Sequence, residues 1–209
     1  MFSLRSFSGY LRNRVFWLIA PYAAWMALMA ALPMFPVSPA AAYAVRTAVA
    51  GVLIAAAFFV FPRRRFAHGL LSGGSMAWGI AAGVAVFAVW ISPETLFGIK
   101  GPESGQVSPY SPEVCGWTLT LIKLFGSSVV IAAAEELFFR KWLMDFAGFW
   151  WMVALFAIEH DRWAVGAVAG AVYGVLAVKK GLAPAIFAHM TTNFVLGLYV
   201  VLGGQWQYW

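Results

Sequence analysis

The feature that most constrains this chain is a series of apolar runs, nearly free of charge and each long enough to cross a lipid bilayer. The first extends from about Val15 to Met34 and the second from about Pro39 to Phe61. Roughly 18–20 consecutive apolar residues suffice to cross the hydrocarbon core as a helix. In lipid every backbone N–H and C=O must find a partner inside the protein, so only helices and closed β-barrels span. A barrel needs strands of about ten residues that alternate apolar and polar, and no such alternation runs through this sequence. Charged residues make up 11% of the 209 positions, against roughly 25% in an ordinary soluble domain. The expected fold is all-α, a polytopic membrane bundle of about seven to eight helices forming one structural domain.

Further spans are expected at about Ser72–Ile91, Gly116–Phe146, Trp163–Val178 and Pro184–Leu202, with a shorter apolar helix at about Phe149–His160. The first run is longer than the 7–15 apolar residues of a cleaved signal, so it reads as a retained membrane helix. Between Ser92 and Glu113 lies a stretch rich in Pro, Gly and Ser, carrying Glu94, Glu103, Glu113 and one cation, Lys100. It reads as a loop. The net charge of +6 comes largely from short clusters beside the spans: Arg5, Arg12 and Arg14; Arg63, Arg64 and Arg65; Lys179 and Lys180. Such clusters favour cytoplasmic loops. They place the N-terminus in the cytoplasm of a multi-pass integral membrane protein, with a bacterial-type inner membrane as its expected location. No basic stripe interleaves with aromatics, which argues against nucleic acid as a partner. The single cysteine, Cys115, permits no intrachain disulfide and no cysteine-based metal site. Gly166, Gly170 and Gly174 form a small-residue stripe suited to close helix packing, and the aromatic end QWQYW suits the headgroup level.

The informative residues are the charges inside the spans. Each costs about 2.5–3.5 kcal/mol at the centre of a membrane helix. Glu135, Glu136 and Arg140 fall within six residues of one span. Glu136 and Arg140, four apart, share a face and neutralise one another, while Glu135 is turned about 100° away and must find its partner on another helix. Helical rise places Glu135 and His160 each roughly 16 Å above the same helix boundary, and His189 about 13 Å above Lys180. Asn193 lies one turn beyond His189 on the same face. Four polar groups from three helices thus arrive at one depth. Arg46 and Lys123 also fall within spans and are expected to snorkel or pair locally.

The stretches EELFFR at 135–140, FAIEH at 156–160 and HMTTN at 189–193 resemble, in order, the three signature motifs of the CPBP family. That family holds the type II CAAX prenyl endopeptidases and the bacteriocin-processing or self-immunity proteins. The resemblance covers roughly Gly116 to Leu202. It implies a CAAX-protease-like bundle in which 1–115 supplies three membrane helices and the polar loop, and 116–209 is the catalytic helical core. It further implies an intramembrane glutamate-type endopeptidase with no cofactor and no metal, acting on a membrane-anchored or lipidated protein or peptide. Glu135 would activate water with help from His160, His189 and Asn193 would stabilise the oxyanion, and Glu136 with Arg140 would be the supporting pair. Three other readings stay open: a zinc peptidase using Glu135, His160 and His189, though HExxH is absent; a non-catalytic binding or chaperone-like membrane protein; and a proton-coupled transporter. EHDRW at 159–163 resembles a subgroup of CAAX protease-related proteins linked to exosortase-type sorting systems, whose substrates would carry short hydrophobic C-terminal anchors. Glu159, Asp161 and Arg162 themselves are expected to form a salt-bridged turn.

Overall fold

The computed structural model of the protein describes residues 14–60, 73–92, 96, 105 and 107–209. Seven helices account for most of them: α1 Arg14–Ala31, α2 Pro39–Val60, α3 Gly73–Ile91, α4 Pro112–Ala147, α5 Phe149–Ile158, α6 Trp163–Lys180 and α7 Leu182–Gly203. Short 3₁₀ turns follow α1 at Leu32–Met34 and α7 at Trp206–Tyr208. No strand occurs among the described residues. Five helices are long and apolar enough to cross a membrane, while α5 and the apolar part of α3 are shorter. The protein is a polytopic membrane bundle. Arg5, Arg12, the Arg63, Arg64 and Arg65 cluster, and Glu94, Lys100 and Glu103 of the polar loop lie outside the described residues.

Local chemistry explains where the helices begin and end. Proline opens α2 and α4, a position where its missing N–H costs no hydrogen bond. Gly148 separates α4 from α5 at φ +92°, and Gly181 separates α6 from α7 at φ +96°. A left-handed residue of this kind reverses the chain in one step, and only glycine adopts it without a Cβ penalty. The long helix α4 is irregular. It is kinked at Gly116, φ +79°, and winds as π-helix over Gly126–Ile131 and again over Glu136–Leu143.

Small residues set the helix spacing. On α6, Cβ atoms at Gly166, Gly170 and Gly174 would lie 3.2 Å from Ala157, 3.2 Å from Phe156 and 2.7 Å from Phe149. The expected glycine stripe therefore seats α5. A second pair was not anticipated. Gly79 and Gly83 of α3 face α7, where a Cβ at Gly79 would lie 2.8 Å from the Pro184 carbonyl and one at Gly83 would collide with that of Ala188. Without a hydrophobic force between helices in lipid, such close backbone approach supplies the packing.

The interior is a continuous cluster that includes Tyr22, Trp25, Tyr43, Phe139, Met152 and Tyr173, whereas Val52, Phe59, Trp78 and Trp150 face outward. Arg46 and Lys123 pair locally, but with rings and not with acids. The Arg46 guanidinium lies 4.9 Å from the ring centroid of Tyr43 and 5.1 Å from that of Trp25. Lys123 Nζ lies 4.0, 4.8 and 5.6 Å from those of Tyr43, Tyr110 and Trp209. Trp209 thus belongs to the aromatic end that folds back onto the bundle, and Tyr208 packs edge-on against Tyr199.

Candidate active site

Glu136 is the hub of the buried polar groups. Its Oε1 meets Arg140 Nη1 at 3.0 Å within α4 and His189 Nδ1 at 2.9 Å from α7. A carboxylate only accepts, so Nδ1 carries the proton and His189 Nε2 is turned the other way. There it stands 3.7 Å from Oε2 of Glu135. Glu135, Glu136, Arg140 and His189 are all at most 8% exposed. Two carboxylates and one guanidinium leave a net charge of −1. One further proton, on Glu135 or on His189, neutralises the cluster, the condition for burying it in an apolar medium.

Aromatic faces hold these groups in place. The Arg140 guanidinium lies 4.0 Å from the ring centroid of Phe156, a cation–π contact strengthened by burial. The His189 ring stacks on Tyr173 at 4.9 Å. Tyr173 donates its hydroxyl to Thr192 Oγ1 at 2.7 Å, and Thr192 in turn lies 2.8 Å from the carbonyl of Gly83. The α3 backbone, brought close by its glycines, is therefore part of the support for His189.

Phe156 also connects the cluster to His160. Its ring lies 5.8 Å from that of His189 and 4.7 Å from that of His160. His160 Nδ1 is 2.8 Å from the Phe156 carbonyl. A carbonyl only accepts, so Nδ1 is again the protonated nitrogen and Nε2 keeps a lone pair for a water proton. Asn193 donates from Nδ2 to the carbonyl of Ser127 at 2.9 Å, within the first π-helical segment of α4. The structure thus joins Glu135, Glu136, Arg140 and His189 directly, links His160 through Phe156, and places Asn193 one turn further along α7. Both glutamates lie where α4 passes into its second π-helical segment, a distortion that recurs at functional sites.

Several buried atoms have no hydrogen-bond partner among the described residues, including Oε2 of Glu135, Glu136 and Glu159 and Nε and Nη2 of Arg140. Unmade hydrogen bonds of this kind are costly in a dry interior. Among the described residues, no three His, Cys, Asp or Glu side chains group as a metal-ligand set.

The expected salt-bridged turn of Glu159, Asp161 and Arg162 is not what forms. Glu159 Oε1 accepts a hydrogen bond from the Tyr22 hydroxyl of α1. Arg162 donates from Nη1 to the Trp90 carbonyl at 3.0 Å and lies 4.6 Å from the Tyr208 ring centroid, while Asp161 is exposed. Trp90 is in the last turn of α3, where a carbonyl has no helical donor, so Arg162 supplies one. Sequence reasoning missed Tyr22, Trp90 and Gly83. Only the last carried a signal, the small-xxx-small pattern GIAAG at 79–83.

Residues 116–195 match the family model of the type II CAAX prenyl endopeptidase, Rce1-like, group. Over that segment the chain is similar to the CAAX-protease family. The matched segment contains Glu135, Glu136, Arg140, His160, His189 and Asn193. No curated protein and no solved structure matches the chain. The CAAX-protease segment ends short of Tyr208 and begins after Tyr22, Gly83 and Trp90, which reach the site from outside it.

Proposed function

We propose that this protein is a CAAX-protease-type, glutamate-dependent intramembrane endopeptidase that hydrolyses a peptide bond in a membrane-tethered substrate. The observation that carries the reading is the buried, unpartnered Oε2 of Glu135, 3.7 Å from His189 Nε2. A carboxylate so placed is a general base for water, and His160, with its Nε2 lone pair, accepts the second water hydrogen and orients the oxygen. Water gives a proton to Glu135 as its oxygen bonds to the substrate carbonyl carbon. The resulting oxyanion faces His189, which donates from Nε2 in its doubly protonated form, and Asn193, whose second N–H is available. Donors of this kind are worth about 3–4 kcal/mol each in a dry site. Collapse of the intermediate breaks the C–N bond, and the proton on Glu135 passes to the departing amine. Glu136 and Arg140 take no part in bond making and hold His189 in its tautomer.

The substrate class follows from depth and from the family description. The base lies on a membrane helix, so the scissile bond belongs to a chain that reaches into the bilayer, as a lipidated tail or a short hydrophobic C-terminal anchor does. We place the N-terminus in the cytoplasm on the positions of the basic clusters. The test uses purified protein in nanodiscs, a panel of lipidated and hydrophobically anchored peptides, excess chelator, and mass spectrometry of the products. Cleavage by wild type and none by Glu135→Gln supports the reading, and the cut position names the substrate class. Cleavage that appears only when zinc is restored overturns it in favour of a metallopeptidase. Silence of the wild type under both conditions overturns it in favour of a binding protein.

A further inference from the structure

The turn that carries His160 is held from outside the CAAX-protease segment. It follows the ten-residue helix α5 and leaves helical geometry at Arg162, φ −98° and ψ 65°. Backbone hydrogen bonds carry the helix as far as His160, whose N–H meets the Ala157 carbonyl at 3.1 Å. Three side-chain anchors join the turn to α1 and α3: the hydroxyl of Tyr22 on Glu159, the carbonyl of Trp90 under Arg162, and the Trp90 ring 5.4 Å from the ring of His160. Tyr22 and Trp90 precede residue 116, where the family match begins. Tyr22 is itself set against α4, its ring 4.5 Å from that of Phe138 and 5.4 Å from that of Phe139. A ring of α1 packed against the carboxylate helix thus delivers its hydroxyl to the residue next to His160.

We propose that Tyr22 is a positioning residue of the proposed peptidase, acting through Glu159 to hold the His160 ring at the distance and tautomer that water activation requires. The proposal rests on the functional reading above for its kinetic consequence and on geometry alone for its structural one. The tether ties the distance between α1 and the His160 turn to α4, which carries Glu135. A displacement near 1 Å at a reacting group costs about 10²-fold in rate, so losing one anchor of several is expected to cost about 10-fold in kcat with KM unchanged.

Two variants approach the tether from opposite sides, and a third separates it from charge. Tyr22→Phe removes the donor and keeps the carboxylate. Glu159→Ala removes the acceptor. Glu159→Gln keeps an oxygen that accepts the Tyr22 hydroxyl and deletes the charge. The expected result is a fall in kcat for Tyr22→Phe and Glu159→Ala, near-wild-type kcat for Glu159→Gln, and KM within about 2-fold throughout. In parallel, ¹⁵N-histidine spectra of the full chain in nanodiscs, with His160 assigned by its loss in His160→Asn, read the ring directly. Wild type and Glu159→Gln should show a single Nδ1–H tautomer, and Tyr22→Phe and Glu159→Ala a mixture. Unchanged His160 signals and unchanged kcat in Tyr22→Phe overturn the proposal, as does Glu159→Gln behaving like Glu159→Ala, which would make the charge the active feature. If the wild-type protein cleaves no peptide, the peptidase reading fails while the histidine spectra still decide the tether. Should Tyr22→Phe not fold, Glu159→Ala carries the same two readouts.

Discussion

Two groups of charged residues among the described spans are solved differently. Around Glu136, opposite charges meet directly: Arg140 at 3.0 Å, His189 at 2.9 Å, and Glu135 facing the other nitrogen of the same imidazole. Around Tyr43 there are only cations, Arg46 and Lys123, and neither has a carboxylate partner among the described residues. Their charge is spread over the faces of Trp25, Tyr43, Tyr110 and Trp209. An ion-paired cluster that includes a histidine and leaves carboxylate oxygens unbonded can take up and release protons. Cations held on aromatic faces have, among the described residues, no carboxylate beside them to accept a proton from water. The first arrangement is suited to chemistry and the second to holding α1, α2 and α4 together.

The comparison breaks most easily at Glu135. Glu135→Gln preserves shape and removes the base, so cleavage should fall by about 10²–10⁴-fold with no loss of folded protein by circular dichroism. Retention of more than a tenth of the activity would remove Glu135 from the role. Next comes Arg140→Ala. It strands Glu136 beside His189 in an apolar setting, and breaking a buried pair costs about 3–5 kcal/mol. Denaturant titration in detergent micelles should show that loss, together with loss of cleavage. Gly83→Val tests the support from outside the family match. The added carbons collide with Ala188 and Thr191 of α7, and overpacking of that kind costs about 1–3 kcal/mol. Activity should drop with stability, because the chain from Gly83 through Thr192 and Tyr173 to the His189 ring is displaced.

What could be read beforehand follows from what lipid enforces locally. Bilayer thickness and backbone satisfaction make spans visible as runs, so α1, α2, α4, α6 and α7 lie close to their expected limits. Charges within such runs are rare enough to be noticed, which is why rise per residue put Glu135, His160, His189 and Asn193 at one depth and spacing paired Glu136 with Arg140, while the contact of Glu136 with His189 was not foreseen. Features that depend on which helix faces which were not readable. Tyr22 is 137 positions from Glu159, and a tyrosine in an apolar span reads as an interfacial residue. The alternating signs of Glu159, Asp161 and Arg162 suggested a local ion-paired turn, yet neighbours in sequence do not face one another across a turn. GIAAG was absorbed into an apolar run although its glycines decide how near α3 comes to α7. The π-helical segments of α4 carry no compositional mark at all.

The smallest effect belongs to the cationic group, and it is the most discriminating. Lys123→Met keeps a long flexible chain of similar volume and deletes the ammonium. The loss is the attraction to Tyr43, Tyr110 and Trp209, worth about 2 kcal/mol in a desolvated setting. The gain is relief from placing a charge within a span, about 2.5–3.5 kcal/mol at its centre. The two nearly cancel, so stability should rise by no more than about 1.5 kcal/mol. Cleavage should stay within about 2-fold of wild type, because Lys123 is twelve residues from Glu135 along α4, roughly 18 Å of helix. Thermal unfolding and the peptide assay, run side by side with Arg140→Ala, make the contrast quantitative. A large loss of activity in Lys123→Met at unchanged stability would show that the two charged groups act as one site, and would erase the distinction between ion-paired and ring-held charge in this bundle.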